Sequence, residues 1–180
     1  MKLHLKTLLG MILISLALAG CDLFDKVDDI TFNGELPVEF IINEGAVSDV
    51  PVVYSETEIL DALENDEIEK YKNKIKEIKL TGITYEIINY TGAEQIEFSK
   101  GSLKVGPSAK TLVAVPLVVL EETSQTELTD LELDGLNEFA NELKGDKQVE
   151  VRMEGTLSQT PVSFTLRAKF HVTVTAEVLK

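Results

Sequence analysis

The stretch VSFTLRAKFHVTVTAEV, residues 162–178, decides the fold class of this chain. Its even-numbered positions are all apolar and its odd-numbered positions are all polar or charged. Because successive side chains of a β-strand point to opposite faces, this alternation predicts a long strand with one buried and one wet face. Residues 149–154 alternate in the same way, and residues 158–161 have the composition of a turn. The two segments together predict a long antiparallel hairpin with one wet face.

Strand patterns recur upstream of this hairpin. Residues 30–42 carry apolar side chains at most even positions, which predicts a half-buried strand or strand pair. At Gly82 the apolar set shifts by one position, which indicates a β-bulge or, alternatively, a simple turn. Residues 89–92 predict a turn. The apolar run 112–120 predicts a strand covered on both faces, and Pro116 inside it predicts an edge or a bulge because proline donates no ladder hydrogen bond.

Three helices are predicted beside these strands. Ser55 and Glu58 make a capping box before one apolar cluster, and Asp66 and Glu69 make another before the next. Residues 134–144 carry apolar side chains at helical spacing. Several strands, few helices and no alternation of strand with helix predict a mainly β, immunoglobulin-like antiparallel β-sandwich with two or three short peripheral helices.

The amino-terminal residues 1–20 have the pattern of a secretion signal: two lysines, a short apolar body and small residues at the end. The apolar body is too short to cross a bilayer, which requires roughly 20 residues. The tetrapeptide LAGC at 18–21 resembles a bacterial lipobox. That resemblance implies a diacylglyceryl group joined to the Cys21 thiol as a thioether, cleavage before Cys21, and usually acylation of the new amino end. The alternative is an ordinary secretion signal with an incidental cysteine.

The rest of the chain divides into an acidic tether, residues 21–29, and a single domain, residues 30–180. Cys21 is the only cysteine, so no internal disulfide competes with lipidation for its thiol. We therefore expect a cell-envelope protein that is anchored to a membrane through Cys21. The membrane we expect is the outer membrane, with the protein on the periplasmic or surface face of that membrane. The acids after Cys21 also resemble the surface-export signals of Bacteroidetes-type lipoproteins, although a simple tether explains them.

Charge restricts the classes of partner. Removing residues 1–20 removes two lysines and no acid, which leaves 15 basic and 31 acidic side chains and a formal charge near −16. Nucleic acid is not expected as a partner, because phosphate binding needs a basic footprint. The acidity is typical of a protein kept soluble near an anionic membrane.

The order of features in residues 75–178 resembles the late-embryogenesis-abundant type-2, or water-stress, sandwich family. The matching pieces are ITYEIIN at 83–89, SLKVG at 102–106, VAVPL at 113–117 and VEVRMEG at 149–155, with an amphipathic helix before the last. The family's Asn-Pro signature is half present, because Tyr90 stands where proline would be. The resemblance implies an immunoglobulin-like sandwich with a non-catalytic role, and it transfers no functional residue.

Enzymatic and metal chemistry find little support in the sequence. His171 is the only histidine after residue 20, and its odd position places it on the polar face of the last strand. No nucleophile elbow, zinc helix or phosphate loop occurs. The pair Glu121 and Glu122 has no apolar surroundings that would raise a pKa. We expect no catalytic residue, no cofactor and no transition-metal site.

Calcium binding is the metal chemistry closest to a known pattern. Residues 130–135 resemble the start of an EF-hand loop, with acids at alternate positions and glycine sixth. The twelfth position should be a bidentate glutamate, but it is Asn141, and Glu142 comes one place late. Glu132 at the third position is too long for the tight loop. The segment is therefore predicted to begin a helix with solvated acids rather than to bind calcium.

The leading functional hypothesis is a non-enzymatic envelope lipoprotein whose sandwich is a binding or assembly module. A carrier that holds an apolar ligand between its sheets is the alternative, and it requires a cavity that side chains do not fill. A hydrolase built from carboxylates is a third hypothesis. It would require a cleft with two carboxylates about 5 to 9 Å apart.

Overall fold

The computed structural model describes residues 29–178, and the predictions for the signal peptide, Cys21 and residues 22–28 lie outside them. Nine strands, two α-helices and one 3-10 turn make up this part of the chain. The strands are β1 (Asp29–Ser48), β2 (Val52–Asp61), β3 (Ile75–Gly92), β4 (Glu97–Val105), β5 (Lys110–Val115), β6 (Val118–Val119), β7 (Thr126–Leu128), β8 (Gln148–Leu157) and β9 (Thr160–Glu177). The helices are α1 (Asp66–Lys70) and α2 (Leu133–Gly145), and the 3-10 turn is Ala62–Glu64.

The strands form two antiparallel sheets. Sheet A has the order β1-β9-β3-β7. Sheet B has the order β2-β8-β4-β5, and β6 pairs with β4 beside β5. The predicted mainly β sandwich with few helices is confirmed.

β9 is the central strand of sheet A, with β1 on one side and β3 on the other. Its pairing with β1 runs from Asp29 opposite Glu177 to Ser48 opposite Thr160. All even-numbered residues from Val162 to Ala176 are buried, and the odd-numbered ones are half-buried except for Thr165, which is also buried. The alternation in the sequence therefore identifies the core face of β9 correctly.

The predicted hairpin of the last two strands is wrong in its pairing. β8 pairs with β2 and β4 in sheet B, whereas β9 pairs with β1 and β3 in sheet A. Of the turn predicted at residues 158–161, only Ser158 and Gln159 form a bend, since β9 begins at Thr160, and this bend carries the chain from one sheet to the other. The physical reason is that both edges of β9 are already occupied, and that crossing over lets the apolar faces of both strands meet in one core.

The predicted helix at residues 55–63 is also wrong. This segment is the second half of β2 followed by the 3-10 turn. β2 pairs with β8 over ten consecutive positions, and Leu60 is buried while its neighbour Ile59 is exposed. Ser55 and Glu58 therefore lie in the middle of a strand. A continuous ladder with β8 outweighs the local capping signal.

The second predicted helix is confirmed only as the short α1. Its N-cap is Asn65, whose Oδ1 accepts hydrogen bonds from the backbone N–H of Glu67 and of Ile68 at 3.2 Å each. Asp66 is the first helical residue rather than the cap. The helix ends at Lys70, and β3 begins at Ile75.

The predicted bulge at Gly82 is confirmed, because the register between β3 and β9 shifts between Leu80 and Gly82. The Thr81 hydroxyl donates to the carbonyl of His171 at 3.0 Å across this irregularity. The turn predicted at residues 89–92 is wrong, since β3 continues through Gly92. The strand is irregular there, with a register shift between Ile88 and Thr91.

The apolar run 112–120 is interrupted at Pro116, between β5 and β6. β5 is an edge strand of sheet B, as proline predicted. The prediction that both faces are covered is wrong. Ala114, Leu117 and Val119 are exposed, because no third layer covers the outer face of sheet B at this place.

The helix predicted at residues 134–144 is confirmed as α2, which packs against both β3 of sheet A and β5 of sheet B. Phe139 and Leu143 on its inner side are completely buried. The ring of Phe139 stacks on Phe170 of β9, with centroids 5.5 Å apart and planes tilted by 11°. α2 therefore belongs to the core as well as to the surface.

Candidate functional site

The space between the sheets is filled by side chains. The core of the described chain is continuous from Leu36 of β1 to Val174 of β9 and contains residues from both sheets and α2. Within residues 29–178, no buried polar side-chain atom lacks a hydrogen-bond partner. Five depressions found in this part of the chain are open to solvent. A candidate site must therefore be sought at the surface.

We define the edge groove as the depression between residues 76–81 of β3 and the outer side of α2. Its volume is about 590 Å³. The residues that line it are Lys76, Glu77, Ile78, Lys79, Leu80, Thr81, Leu133, Leu136, Asn137, Ala140, Asn141 and Lys144.

The groove exists because β3 is paired unequally on its two edges. β9 follows nearly the whole length of one edge. On the other edge β7 pairs only with residues 83–85, and Thr123 exchanges hydrogen bonds with Ile87. Residues 75–82 have no strand partner on that edge within the described part of the chain. Their outward N–H and C=O groups face the groove.

Apolar and charged side chains alternate around the groove. Leu80, Leu136 and Ala140 are half-buried and form its floor, and Leu133 at the start of α2 is 70% exposed. Apolar surface in contact with water is unfavourable. Leu133 therefore adds to the free energy that would be gained if a partner covered the groove.

The charges of the groove differ in sign from those of the whole protein. Its lining contains three lysines and one glutamate, whereas the complete chain has a formal charge of −14. Lys76 Nζ lies 2.6 Å from Asp29 Oδ1, and Lys79 Nζ lies 3.0 Å from Glu77 Oε2. These pairs are about half exposed, so they are worth little and can open. Lys144 has no ion-pair partner among residues 29–178.

The outer face of sheet A has a separate polar cluster. The Arg167 guanidinium donates through Nε to Glu39 at 2.7 Å and through Nη1 to Glu86 at 2.9 Å. These two hydrogen bonds raise the pKa of Arg167 above its ordinary value. The hydrogen bond to Glu39 has the larger effect. The cluster links β1, β9 and β3 across the sheet, and its charges are paired with one another.

His171 lies on this polar face, as predicted. Its Nε2 is 3.0 Å from Thr84 Oγ1, and its Nδ1 is 3.6 Å from Glu35 Oε1. This order of acid, histidine and hydroxyl is that of a catalytic triad. Thr84, however, lies where β3 is paired on both edges, so ladder bonds occupy the surrounding backbone N–H groups that would have to form an oxyanion hole. The arrangement therefore joins β1, β9 and β3 across the outer face of sheet A.

The segment that resembles the start of an EF-hand, residues 130–135, leads into the first turn of α2. Asp130 is exposed, and Asp134 lies in the first turn of the helix. Residues 29–178 contain no group of three or more histidine, cysteine, aspartate or glutamate side chains that could hold a metal. The exposed Glu121 and Glu122 also lie on the surface.

Millimolar calcium should leave the melting temperature unchanged to within about one or two degrees. An ion that binds only the folded state at a hundredfold excess over its Kd would add about 2.7 kcal/mol, which is several degrees for a domain of this size. Differential scanning fluorimetry with calcium and with a chelator measures the difference. A rise of several degrees that Asp130→Ala abolishes would show that the acids do form a site.

The edge groove could not be predicted from the sequence. Its two walls are more than fifty residues apart in the chain, and no motif marks either of them. Two signals point toward it in retrospect. The phase shift at Gly82 marks where β3 changes its pairing, and Leu133 is an apolar residue on the solvent side of a helix.

No helix within residues 29–178 has both the length and the apolar character to cross a bilayer. The chain matches no family model and no curated protein. The solved structures that align with it include two from viruses. The structure of desmodium yellow mottle tymovirus aligns with 84% of this chain and 83% of its own, at 9% identity and a TM-score of 0.37. That of infectious bursal disease virus, Gx strain, aligns with 84% of this chain and 37% of its own, at 9% identity and a TM-score of 0.27.

Proposed function

We propose that this protein is a lipid-anchored, non-catalytic binding module of the bacterial cell envelope. The anchor is supported by the lipobox-like LAGC at 18–21 and by the single cysteine of the chain. The binding role rests on one observation. The described domain fills its interior and leaves a large groove with an unpaired strand edge at its surface.

A binding surface accounts for the domain better than a carrier cavity does. A carrier needs an internal cavity of roughly 300 to 1,000 Å³ that encloses most of its ligand. Between these sheets the stacked rings of Phe139 and Phe170 and their buried neighbours take up the space. The edge groove has the volume for a ligand, but it is open to solvent, whereas a carrier encloses most of its ligand.

The anchor is tested by Cys21→Ser. We expect the variant to move from the membrane to the soluble fraction, since the thiol that would carry the acyl chains is gone. Membrane fractionation, with intact mass spectrometry of the purified protein, measures the change. Asp28→Asn in the tether is the matched control and should stay with the membrane. A Cys21→Ser protein with unaltered partitioning and unaltered lipid mass would contradict the lipidation.

The binding role is tested by affinity capture from the membranes in which the protein is expressed. Leu133→Lys places a charge in the groove without disturbing the core, because Leu133 is exposed. Leu117→Lys is the matched control, with a leucine 60% exposed beside β6. We expect a specific protein partner that is lost with Leu133→Lys and retained with Leu117→Lys. Recovery of only a small apolar molecule bound inside the domain, detected by native mass spectrometry, would support the carrier instead.

A further inference from the structure

We propose that the edge groove binds an extended acidic peptide segment of a partner protein, which adds to sheet A as a new strand beside β3. This inference rests on the proposed function and names its partner class. Such strand addition uses main-chain hydrogen bonds for affinity and alternate side-chain pockets for specificity. Each of these elements is present in the groove.

The first element is the strand edge. Residues 76–81 of β3 expose a stretch of about 20 Å at roughly 3.3 Å per residue. The part of α2 that lines the opposite wall, residues 133–144, is about 18 Å long at 1.5 Å per residue. Natural proteins usually cover a free edge with a helix packed against it. Here α2 packs against β3 but leaves the groove beside residues 76–81, and the two walls match a peptide of about six residues.

The second element is the apolar floor. Side chains of an extended peptide alternate between its two faces, so every second one would point toward Leu80, Leu136 and Ala140. Those three residues are only half-buried in the free protein. A peptide with small apolar residues at alternate positions would complete their burial.

The third element is charge. Lys76, Lys79 and Lys144 line the groove with Glu77 as the only acid. They are concentrated on a protein that is otherwise strongly acidic. The side chains of the peptide that point away from the floor should therefore be aspartate or glutamate. Their carboxylates would be attracted to the lysines and would increase the rate of association.

The same charges argue against two other occupants. A second copy that paired edge to edge through β3 would bring two lysines and one glutamate, residues 76–79, against a groove that is itself rich in lysine, so two surfaces of net positive charge would meet. An anionic lipid surface would be repelled by the excess of acids over most of the domain. A short acidic segment has neither difficulty.

The test uses the mature protein in detergent and an octapeptide in which valine and aspartate alternate. We expect saturable binding by fluorescence anisotropy that weakens as salt rises. It should weaken about tenfold or more in the double variant Lys79→Glu with Lys144→Glu, since each reversal replaces an attraction by a repulsion. The matched control, Lys100→Glu with Lys110→Glu, changes two exposed lysines on sheet B and should bind within about twofold of the wild type.

Two further readouts distinguish strand addition from a nonspecific charge effect. Backbone amides of residues 76–81 should gain hydrogen-exchange protection when the peptide binds. The same peptide with N-methyl groups on one edge should lose binding about tenfold, because it can no longer donate to β3. Equal binding of the methylated peptide, or equal binding of a valine–lysine octapeptide, would overturn the inference.

Failure here is separable from failure of the proposed function. A membrane partner captured through Leu133 while the acidic octapeptide does not bind would refute the acidic strand and leave the binding module standing. Binding to phosphatidylglycerol vesicles, or a dimer in sedimentation velocity that Lys79→Glu alters, would identify a lipid or a second copy as the occupant and would also refute it.

Discussion

Phe170→Ala is expected to lower the free energy of unfolding by about 3–5 kcal/mol, the largest loss we predict for a single side chain. Phe170 is completely buried in the central strand of sheet A and stacks on Phe139 of α2. Truncation removes the ring from the core and leaves a cavity between the sheet and the helix. The loss is a large fraction of the roughly 5–15 kcal/mol that typically stabilises a domain.

Urea unfolding followed by circular dichroism measures this loss as a lower midpoint with an unchanged slope. His171→Ala is the matched control, because it changes the neighbouring residue on the polar face and should be nearly neutral. If Phe170→Ala does not fold, Phe170→Leu keeps most of the volume and should show a smaller loss in the same direction. Equal losses from Phe170→Ala and His171→Ala would mean that the two faces of β9 are assigned wrongly.

Gly135→Ala is expected to cost about 1–3 kcal/mol, even though alanine ordinarily favours a helix over glycine. A Cβ at this position would lie 2.3 Å from the carbonyl oxygen of Thr111 and 2.6 Å from Cα of Leu112. Both contacts are to the backbone of β5, so neither can be relieved by turning a side chain. α2 would have to move away from sheet B.

Gly145→Ala on the same helix provides the comparison. Its added Cβ would have no heavy atom within 4 Å. Alanine there should be neutral or stabilise the protein by up to about 1 kcal/mol. Thermal unfolding of the two variants separates close packing from helix propensity. A Gly135→Ala protein as stable as the Gly145→Ala protein would show that α2 does not need to approach β5 so closely.

The position of α2 links stability to the proposed binding site. The inner side of the helix packs on Phe170 and β5, while its outer side forms one wall of the edge groove. The close contact at Gly135 sets how near α2 lies to β5, and a helix that moved away from β5 would shift this wall of the groove. We expect Gly135→Ala to weaken binding of the acidic octapeptide as well, although Gly135 does not line the groove.

Local pattern predicted the elements whose signal is long or unambiguous. The alternation over residues 162–178 identified both faces of β9, and the helical spacing over residues 134–144 identified α2 to within one residue at each end. The bulge at Gly82 was predictable because an extra residue in a strand shifts the phase of its apolar pattern by one position. These features depend on near neighbours in the chain, and near neighbours are what the sequence displays.

Elements that depend on distant partners were predicted less well. The segment with Ser55 and Glu58 has the composition of a helix start, but ten ladder positions with β8 make it a strand. The last two strands were identified correctly and paired wrongly, because a sheet crossover and a hairpin turn look alike in composition. In both places, contacts with residues that are distant in the chain or lie in the opposite sheet outweigh the local sequence signal.

By itself the sequence determined the class of this protein. Period-two patterns favour strands with one buried face, a single cysteine in a lipobox-like context predicts an anchor, and the balance of acids over bases predicts that nucleic acid is not a partner. Only the tertiary structure decided which strands pair, that the interior is filled, and that β3 keeps a free edge opposite α2. Those features depend on which side of each strand is already occupied and on how closely the helix approaches the sheets. They are properties of the packed molecule and not of any one segment.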